Sequence, residues 1–440
     1  MTLSLNRRAL LGGLTAVAAR PTWAQSLPTD PDVVIVGAGS AGLAAARTLL
    51  DLGRTVVVVE ARSRIGGRAF TDTARFGVPF DHGCSWLHSA DQNPYAPLAR
   101  DWGFTLRNQD GADETVRVGA SDADEAELGD YGRAWDGLQN ALMGAGRDGQ
   151  DVAAASVSPR DRPWIEVCEA WVGPMSMGMD LEDFSCLDWY QLDDTKPNDM
   201  VAEGFGTLVR RYGEGLPVVL EAPVARIAWG GSDVRVETPK GTLAAKACIV
   251  TVSTGVLGAG SIAFDPVLPV WKQEAIADVP MGLLAKIPLQ FDGARFGLAE
   301  DGWLTYHVVG REACYFLTWP FGYGLLVGFV GGGFGWELSA AGPDAAIDFA
   351  RGELRKILGA DVDKAFVQGD FTRWADDPYA LGGYAAARPG RTSQRAKLGE
   401  PLDDRLFFAG EALAGAHAMT CGGANLSGQM VARDVARALG

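Results

Sequence analysis

Residues 32–68 read DVVIVGAGSAGLAAARTLLDLGRTVVVVEARSRIGGR, and this stretch decides the fold. Two short β-branched apolar runs, 33–36 and 56–59, are typical of buried parallel strands. Between them lie a G-x-G-x-x-G turn and a pattern that predicts a helix from about Ser40 to Leu52. The glycines of the turn are Gly37, Gly39 and Gly42. This order of elements predicts a binding site for a dinucleotide.

The glycine turn has a separate role for each glycine. Gly37 permits a tight turn, Gly39 lets the backbone approach a pyrophosphate, and Gly42 lets the helix pack closely on the strand. The first helical residues, Ser40 and Ala41, would present unpaired N–H groups and the positive end of the helix dipole to phosphates. A turn that serves packing alone is the alternative interpretation.

An acidic residue, Glu60, ends the second strand 18 positions after Gly42. An acid at this place can bind a ribose 2′-OH and disfavours a 2′-phosphate. The sequence therefore favours FAD or NAD over NADP.

The run that follows, E-A-R-x-R-x-G-G-R, decides between these two cofactors. Its residues include Ala61, Arg62, Arg64, Gly67 and Arg68. Arginines stay charged and match the geometry of a diphosphate, although a solvated surface turn is the alternative. At this run the chain resembles the flavin-dependent amine oxidases, which include monoamine oxidases, polyamine oxidases and lysine-specific histone demethylases. The resemblance implies FAD as the cofactor.

Further segments carry the resemblance to the end of the chain. They are FDHGCSWLHSADQN at 80–93, EAPVARI at 221–227, PMGLLAK at 280–286, WADDPYALGGY at 374–384 and LFFAGEALAGAHAMTCGGANLSGQ at 406–429. The resemblance implies that further residues of these segments contact FAD, with Val224 in a strand whose backbone meets adenine. These residues are Gly83, Ser85, Trp86, Val224, Trp374, Gly410, Glu411 and Thr420.

The resemblance also implies the catalytic residues. Lys286 would hold a water near flavin N5, and Tyr384 and Thr420 occupy the two positions that flank the substrate amine in monoamine oxidases. His88 would lie in the substrate channel. The alternatives are an outward-facing Lys286, a core aromatic at Tyr384 and a loop-capping His88. Gly383 stands where monoamine oxidases carry a tethering cysteine, so we expect non-covalent FAD.

The predicted fold is α/β with two domains, because 440 residues exceed one ordinary core. A Rossmann-like FAD-binding domain with a parallel sheet is expected from residues 31–96, 204–281 and 397–440. An α+β substrate-binding domain is expected from residues 97–203 and 282–396. The substrate channel should lie between these domains.

The first 25 residues are expected to be a twin-arginine export signal. Arg7 and Arg8 precede an apolar run at 9–19, which is too short for a membrane span, and cleavage is expected after Ala24. We therefore expect a periplasmic or exported protein without a stable membrane span. An uncleaved anchor or a chance arginine pair is the alternative.

Charge and composition exclude some functions. The net charge is −16, and the acidic excess grows when the signal is removed, which disfavours nucleic acid as a partner. Six cysteines and four histidines show no ligand spacing, so no metal site is expected. Cys84 and Cys421 lie in segments that the resemblance places near the flavin, so these two residues could be close together.

The predicted activity is oxidation of a polyamine-like or other primary or secondary amine by hydride transfer to FAD. The resulting imine would be hydrolysed, and electrons would pass to O2, giving H2O2, or to a periplasmic redox carrier. An L-amino-acid oxidase is one alternative, with Arg373, Arg388 or Arg391 as the carboxylate partner. A non-catalytic flavoprotein that binds a partner is another. The oligomeric state is left open.

Overall fold

The computed structural model describes residues 30–193 and 195–440. The predicted export signal, residues 1–25, lies outside the described residues. No helix within the described ranges combines the length and the apolar composition needed to cross a membrane.

The strands, in chain order, are short in the first half and longer in the second. They are β1 Val33–Val36, β2 Val56–Val59, β3 Thr71–Asp72, β4 Phe80–Asp81, β5 Trp86–Leu87, β6 Leu106–Asn108, β7 Glu114–Val118, β8 Ser121–Asp122, β9 Asp199–Val201, β10 Val218–Val219, β11 Arg226–Ala228, β12 Val234–Thr238, β13 Gly241–Ala245, β14 Ala247–Val250, β15 Ala263–Asp265, β16 Met281–Gly282, β17 Leu284–Phe291, β18 Gly302–Tyr306, β19 Tyr315–Thr318, β20 Leu325–Gly331, β21 Phe366–Gly369, β22 Tyr384–Ala385 and β23 Leu406–Phe408.

The α-helices range from one turn to six. They are α1 Ser40–Asp51, α2 Tyr95–Asp101, α3 Glu125–Arg147, α4 Ile165–Ala170, α5 Cys186–Gln191, α6 Phe205–Tyr212, α7 Thr254–Gly258, α8 Val270–Asp278, α9 Gly332–Ala341, α10 Pro343–Leu358, α11 Asp361–Ala365, α12 Gln394–Gly399 and α13 Cys421–Ala438. A π-helical turn, Trp171–Met177, continues α4.

A five-stranded parallel sheet combines strands from the first, middle and last parts of the chain, in the order β10-β2-β1-β14-β23. Strands β1 and β2 are buried on both faces, which explains their unbroken β-branched runs. Helices α1 and α13 pack against each other beside this sheet. The predicted Rossmann-like α/β architecture is confirmed, and α1 ends one residue earlier than predicted.

A seven-stranded, mainly antiparallel sheet organises the other half, in the order β21-β17-β20-β19-β18-β7-β8. Its side chains, with helices α3, α4 and α10, form the largest hydrophobic cluster. The short pair β16–β22 joins the two halves, because residue 281 pairs with 385 and residue 282 with 384. Tyr384 thus lies at the junction.

One local prediction is wrong. Val224 does not lie in a strand, because β11 begins two residues later, at Arg226. The preceding Pro223 has no N–H to donate to a strand ladder.

Candidate active site

A cavity of about 800 Å³ lies at the carboxyl ends of β1, β2, β14 and β23 and extends between the two sheets. Ligands of doubly wound sheets bind at this edge. All the predicted site residues except Gly42 line it: Gly37, Gly39, Ser40, Ala41, Glu60, Ala61, Arg62, Gly67, Arg68, Gly83, Ser85, Trp86, His88, Val224, Lys286, Trp374, Tyr384, Gly410, Glu411 and Thr420. A Cβ on Gly42 would lie 1.9 Å from the Gly37 carbonyl oxygen, so Gly42 serves the packing of α1.

The amino end of α1 is open toward the cavity. Gly39 is the N-cap residue, and no side chain caps the helix there. A Cβ on Gly39 would meet nothing within 4 Å, so there is free space beside the backbone. Gly37 has φ +104°, which favours glycine. An uncapped helix amino end beside open space fits a pyrophosphate group.

Glu60 places a buried carboxylate at the end of β2, with 3% of the residue exposed. Its two oxygens accept hydrogen bonds from the backbone N–H groups of Ala38, at 2.8 Å, and Arg62, at 2.9 Å. The Arg62 guanidinium donates to Asp377 at 2.7 Å. These contacts hold the carboxylate where a ribose hydroxyl would be recognised, so the residues present fit the adenosine half of FAD.

Arg68 and Glu411 fix the backbone on both sides of Tyr384. Arg68 Nη1 donates to the Gly383 carbonyl at 2.6 Å and to Glu411 Oε1 at 3.1 Å. Glu411 Oε2 accepts from the Ala385 N–H at 3.2 Å. The Tyr384 hydroxyl donates to the Met175 carbonyl in the π-helical turn at 3.2 Å. Burial raises the pKa of Tyr384, so its hydroxyl stays neutral.

Lys286 is buried in β17 at the wall of the cavity, with 5% of the residue exposed. Its Nζ donates to the carbonyls of Asp81, at 2.9 Å, and Gly83, at 2.6 Å, and to Ser85 Oγ, at 2.6 Å. Burial lowers the pKa of Lys286 to about 8. All three hydrogens of the ammonium group are donated to partners within the chain. The water that Lys286 was predicted to hold therefore stays a prediction. The Ser85 hydroxyl still has a hydrogen to donate.

Thr420 and His88 line the cavity, and each has a partner in the chain. Thr420 Oγ1 accepts from the Gly423 N–H at 2.9 Å and donates to the His417 carbonyl at 2.8 Å, so it caps α13. His88 is exposed, and its Nδ1 lies 3.0 Å from Asn198 Oδ1. Catalytic roles for both residues stay predictions.

Comparison with known proteins agrees with this geometry. The family model for flavin containing amine oxidoreductase matches residues 40–131 and 167–436. The chain belongs to this family. Polyamine oxidase 4 of Oryza sativa subsp. japonica is 30% identical over 93% of this chain and 89% of the relative. Lysine-specific histone demethylase 1 homolog 1 of the same plant is 31% identical over 96% of this chain and 54% of the relative.

Solved structures agree with the fold. Putrescine oxidase bound to putrescine matches with a TM-score of 0.77 at 21% identity and covers 92% of this chain and 99% of that protein. Membership of the flavin containing amine oxidoreductase family makes the protein an enzyme that acts on amine donors, with FAD as its cofactor. The FAD is bound non-covalently, as is typical of the family, and Gly383 offers no thiol.

The amine oxidoreductase has an aromatic chamber that sequence reasoning missed, formed by Trp86, Trp171, Trp303 and Phe329. The ring centroid of Trp303 lies 6.1 Å from Trp86, 5.1 Å from Trp171 and 5.5 Å from Phe329. All four residues line the cavity, as Tyr384 does. They come from distant segments, and of the four only Trp86 lies in a segment that carries the family resemblance.

The carboxylate of Asp110 is linked to this chamber through Asn198 and His88. The His88 ring stacks on Trp86 at 6.1 Å, and its partner Asn198 donates to Asp110 from both its backbone and its side chain, each at 3.2 Å. Burial opposes ionisation of Asp110, but hydrogen bonds from Asn108 and Asn198 outweigh it and lower the pKa. Asp110 and Asp193 line the cavity. Sequence reasoning missed Asp110, which lies in a loop without a motif.

Cys84 and Cys421 are close together, as the resemblance allowed. The neighbouring Cys421 thiol, together with burial, raises the pKa of Cys84 well above its ordinary value. Both residues line the cavity as free thiols. The raised pKa keeps Cys84 in its unreactive thiol form.

Proposed function

We propose that this enzyme oxidises a long aliphatic amine with a second positive charge, such as a polyamine. One observation carries the proposal: the aromatic chamber beside Tyr384 and Lys286 is separated by His88 and Asn198 from the carboxylate of Asp110. A linear diamine or triamine would place its reacting amine in the chamber and a second ammonium at Asp110. The polyamine oxidases among its relatives support the same substrate class.

The chamber residues would prepare the amine for oxidation. Aromatic walls exclude water, and a desolvated environment disfavours an ammonium and favours the neutral amine. Tyr384 would hold the amine on one side, its ring fixed by the hydroxyl bond to Met175. FAD, when bound, accepts the hydride that the α-carbon loses. Water then hydrolyses the imine to an aldehyde and a smaller amine.

We propose O2 as the electron acceptor, with H2O2 as its product, and a periplasmic redox carrier as the alternative. The O2 molecule gains two electrons and two protons in each turnover. Stopped-flow reoxidation of the amine-reduced enzyme distinguishes them, since an oxidase recovers its flavin absorbance on mixing with air and a dehydrogenase needs an added carrier.

The geometry gives less support to an L-amino-acid substrate. Among the described residues, the cavity-lining arginines are Arg62 and Arg68, and both pair with carboxylates of the chain. Arg373, Arg388 and Arg391 do not line the cavity. A substrate carboxylate would therefore lack an unpaired arginine among the described residues that line the cavity.

Anaerobic reduction of the flavin tests the substrate class. Spermidine should reduce the flavin of the wild-type enzyme. The Asp110→Asn substitution should raise the KM for spermidine by about tenfold or more, because one charge-assisted contact is lost. Benzylamine, which has no second charge, should show no change in KM. Asp122→Asn, at an exposed position on β8, is the control. An equal effect of Asp110→Asn on both amines would contradict the proposal.

We also propose export through the twin-arginine route, supported by Arg7, Arg8 and the apolar run at 9–19. The test fuses residues 1–30 to a reporter that folds in the cytoplasm. The fusion should reach the periplasm, and replacing both arginines by lysine should abolish transfer. Transfer that survives the double replacement would overturn this assignment.

A further inference from the structure

A second cavity, of about 50 Å³, lies next to the active site and shares part of its wall. Ser85, Lys286 and Phe329 line both cavities. Strand β20 forms one side of the small cavity through Leu325, Val327 and Phe329. These are alternate residues, so they share one face of the strand. The small cavity thus follows β20 to the position of Lys286.

Most of the residues that line this small cavity are apolar, and among its described polar side chains the Ser85 hydroxyl alone keeps an unused hydrogen. Lys286 uses all three N–H groups within the chain. The Tyr323 hydroxyl donates to the Ala202 carbonyl at 3.3 Å. The Asp81 carboxylate accepts from the backbone N–H groups of Phe205 and Gly206. A buried water normally needs two to four polar partners, so this cavity favours a small apolar occupant over water.

The size and the outer end of the cavity restrict the occupant further. A volume of about 50 Å³ admits a molecule of a few atoms and excludes an amine with a hydrocarbon chain. Pro320, Phe321 and Tyr323 line it and are half-buried, whereas Val327 and Phe329 are buried. The lining therefore runs from a partly exposed loop to the wall of the active site.

We propose that this small cavity is a dioxygen site, which supplies O2 to the Lys286 side of the active site by a route separate from the amine channel. The inference rests on the proposed use of O2 as electron acceptor. O2 is small and apolar, as the lining requires. The site ends beside the Lys286 ammonium, and a fixed positive charge stabilises the negative charge that O2 gains as it is reduced.

Xenon is the direct probe, because it is apolar and occupies dry cavities. Crystals of the holoenzyme under xenon pressure should show xenon between Leu317, Val327 and Phe329. Val327→Leu adds one methylene to this space and should remove the xenon, whereas Val327→Ala should keep it. Ordered water in the cavity, with no xenon, would overturn the proposal without reference to activity.

Reoxidation kinetics test the route. Val327→Leu and Leu317→Phe should each lower the second-order rate constant for O2 about fivefold or more, and Val327→Ala should leave it unchanged or higher. Anaerobic reduction by spermidine should stay within twofold in all three variants. Val330→Ile is the matched control, because it adds a methylene on the opposite face of β20 and should change neither rate. A thermal midpoint recorded for every variant identifies any that folds poorly.

The outcomes separate this proposal from the function on which it rests. If no amine reduces the wild-type enzyme, the proposed substrate class fails. If amines reduce the enzyme but only an added carrier reoxidises it, O2 is not the acceptor. The proposed dioxygen site is then also wrong. If O2 reoxidises both cavity-filling variants at the wild-type rate, the route is wrong and the substrate class stands.

Discussion

Two buried lysines of this enzyme, Lys286 and Lys272, have nearly the same surroundings but lie at different places relative to the cavities. Lys286 donates three hydrogen bonds, to two carbonyls and Ser85, and Lys272 in α8 donates three, to the carbonyls of Lys397, Leu398 and Glu400 at 2.6–3.1 Å. Burial lowers the pKa of each lysine to about 8. Each ammonium also lies near aromatic rings. By these properties the two residues cannot be told apart.

Their positions relative to the cavities distinguish them. Lys286 lines both cavities, and Lys272 lines neither. Lys272 instead donates to carbonyls at the end of α12, where the Lys397 carbonyl also accepts from the Glu400 N–H. A perturbed pKa is therefore a poor sign of catalysis unless the group can reach a ligand. Because Lys286 reaches the cavity and Lys272 does not, we expect Lys286 to act in the reaction and Lys272 to stabilise the fold.

The largest expected difference between the two lysines is in turnover. Lys286→Met should lower kcat for the amine by about 100-fold, the low end of what a positioned proton-transfer or charged group contributes. Lys272→Met should change kcat less than twofold and lower the free energy of unfolding by about 2–3 kcal/mol, because three carbonyls, of which that of Leu398 is buried, each lose a hydrogen bond. Steady-state kinetics and urea unfolding of both variants measure this. Similar kcat losses in the two variants would contradict the assignment.

The pH dependence should separate the lysines next. Lys286 is protonated below its pKa of about 8, so the rate of flavin reoxidation should fall as the pH rises through 8 and the charge is lost. The inflection should persist in Lys272→Met and disappear in Lys286→Met. Stopped-flow reoxidation between pH 6 and pH 10 provides the measurement, and an inflection retained without Lys286 would assign it to another group.

The rate of reoxidation should fall as the pH rises, but the contribution of each lysine to the free energy of unfolding should increase. The pKa of each lysine is lowered from 10.5 to about 8 in the folded protein. Between these values the unfolded chain binds more protons, so each site adds to the free energy of unfolding as the pH rises from 8 to 10.5. Because both lysines contribute in the same direction, the pH dependence of stability does not distinguish them.

The sequence predicted the dinucleotide end of the active site, at β1 and β2, much better than the end formed by the aromatic chamber. Strands β1 and β2 lie at their predicted bounds, and Glu60 lies at the end of β2 as expected, because glycine spacing and β-branched runs determine the local backbone. The aromatic chamber was not predicted. Trp86, Trp171 and Trp303 meet only after distant segments pack together, and their spacing along the chain carries no signal.

Lys286 shows the same limit at a single residue. Its motif predicted a place near the flavin, and the structure adds that its three hydrogens are bound by the segment around residues 81–85. The partners of Lys272 are 125 or more positions away in sequence. Neither set of partners follows from local pattern, because tertiary packing brings them together.

The smallest expected effect concerns Ser85, the one side chain among the partners of the two lysines. Ser85→Ala removes an acceptor that favours the charged form of Lys286, so the inflection in the pH profile of reoxidation should move below 8. The rate at pH 7 should fall about threefold, which corresponds to roughly one modest hydrogen bond. Ser85→Thr keeps the hydroxyl and should restore the profile. An inflection that stays in place in Ser85→Ala would show that the two backbone carbonyls alone hold the charge, as the three carbonyls around Lys272 do.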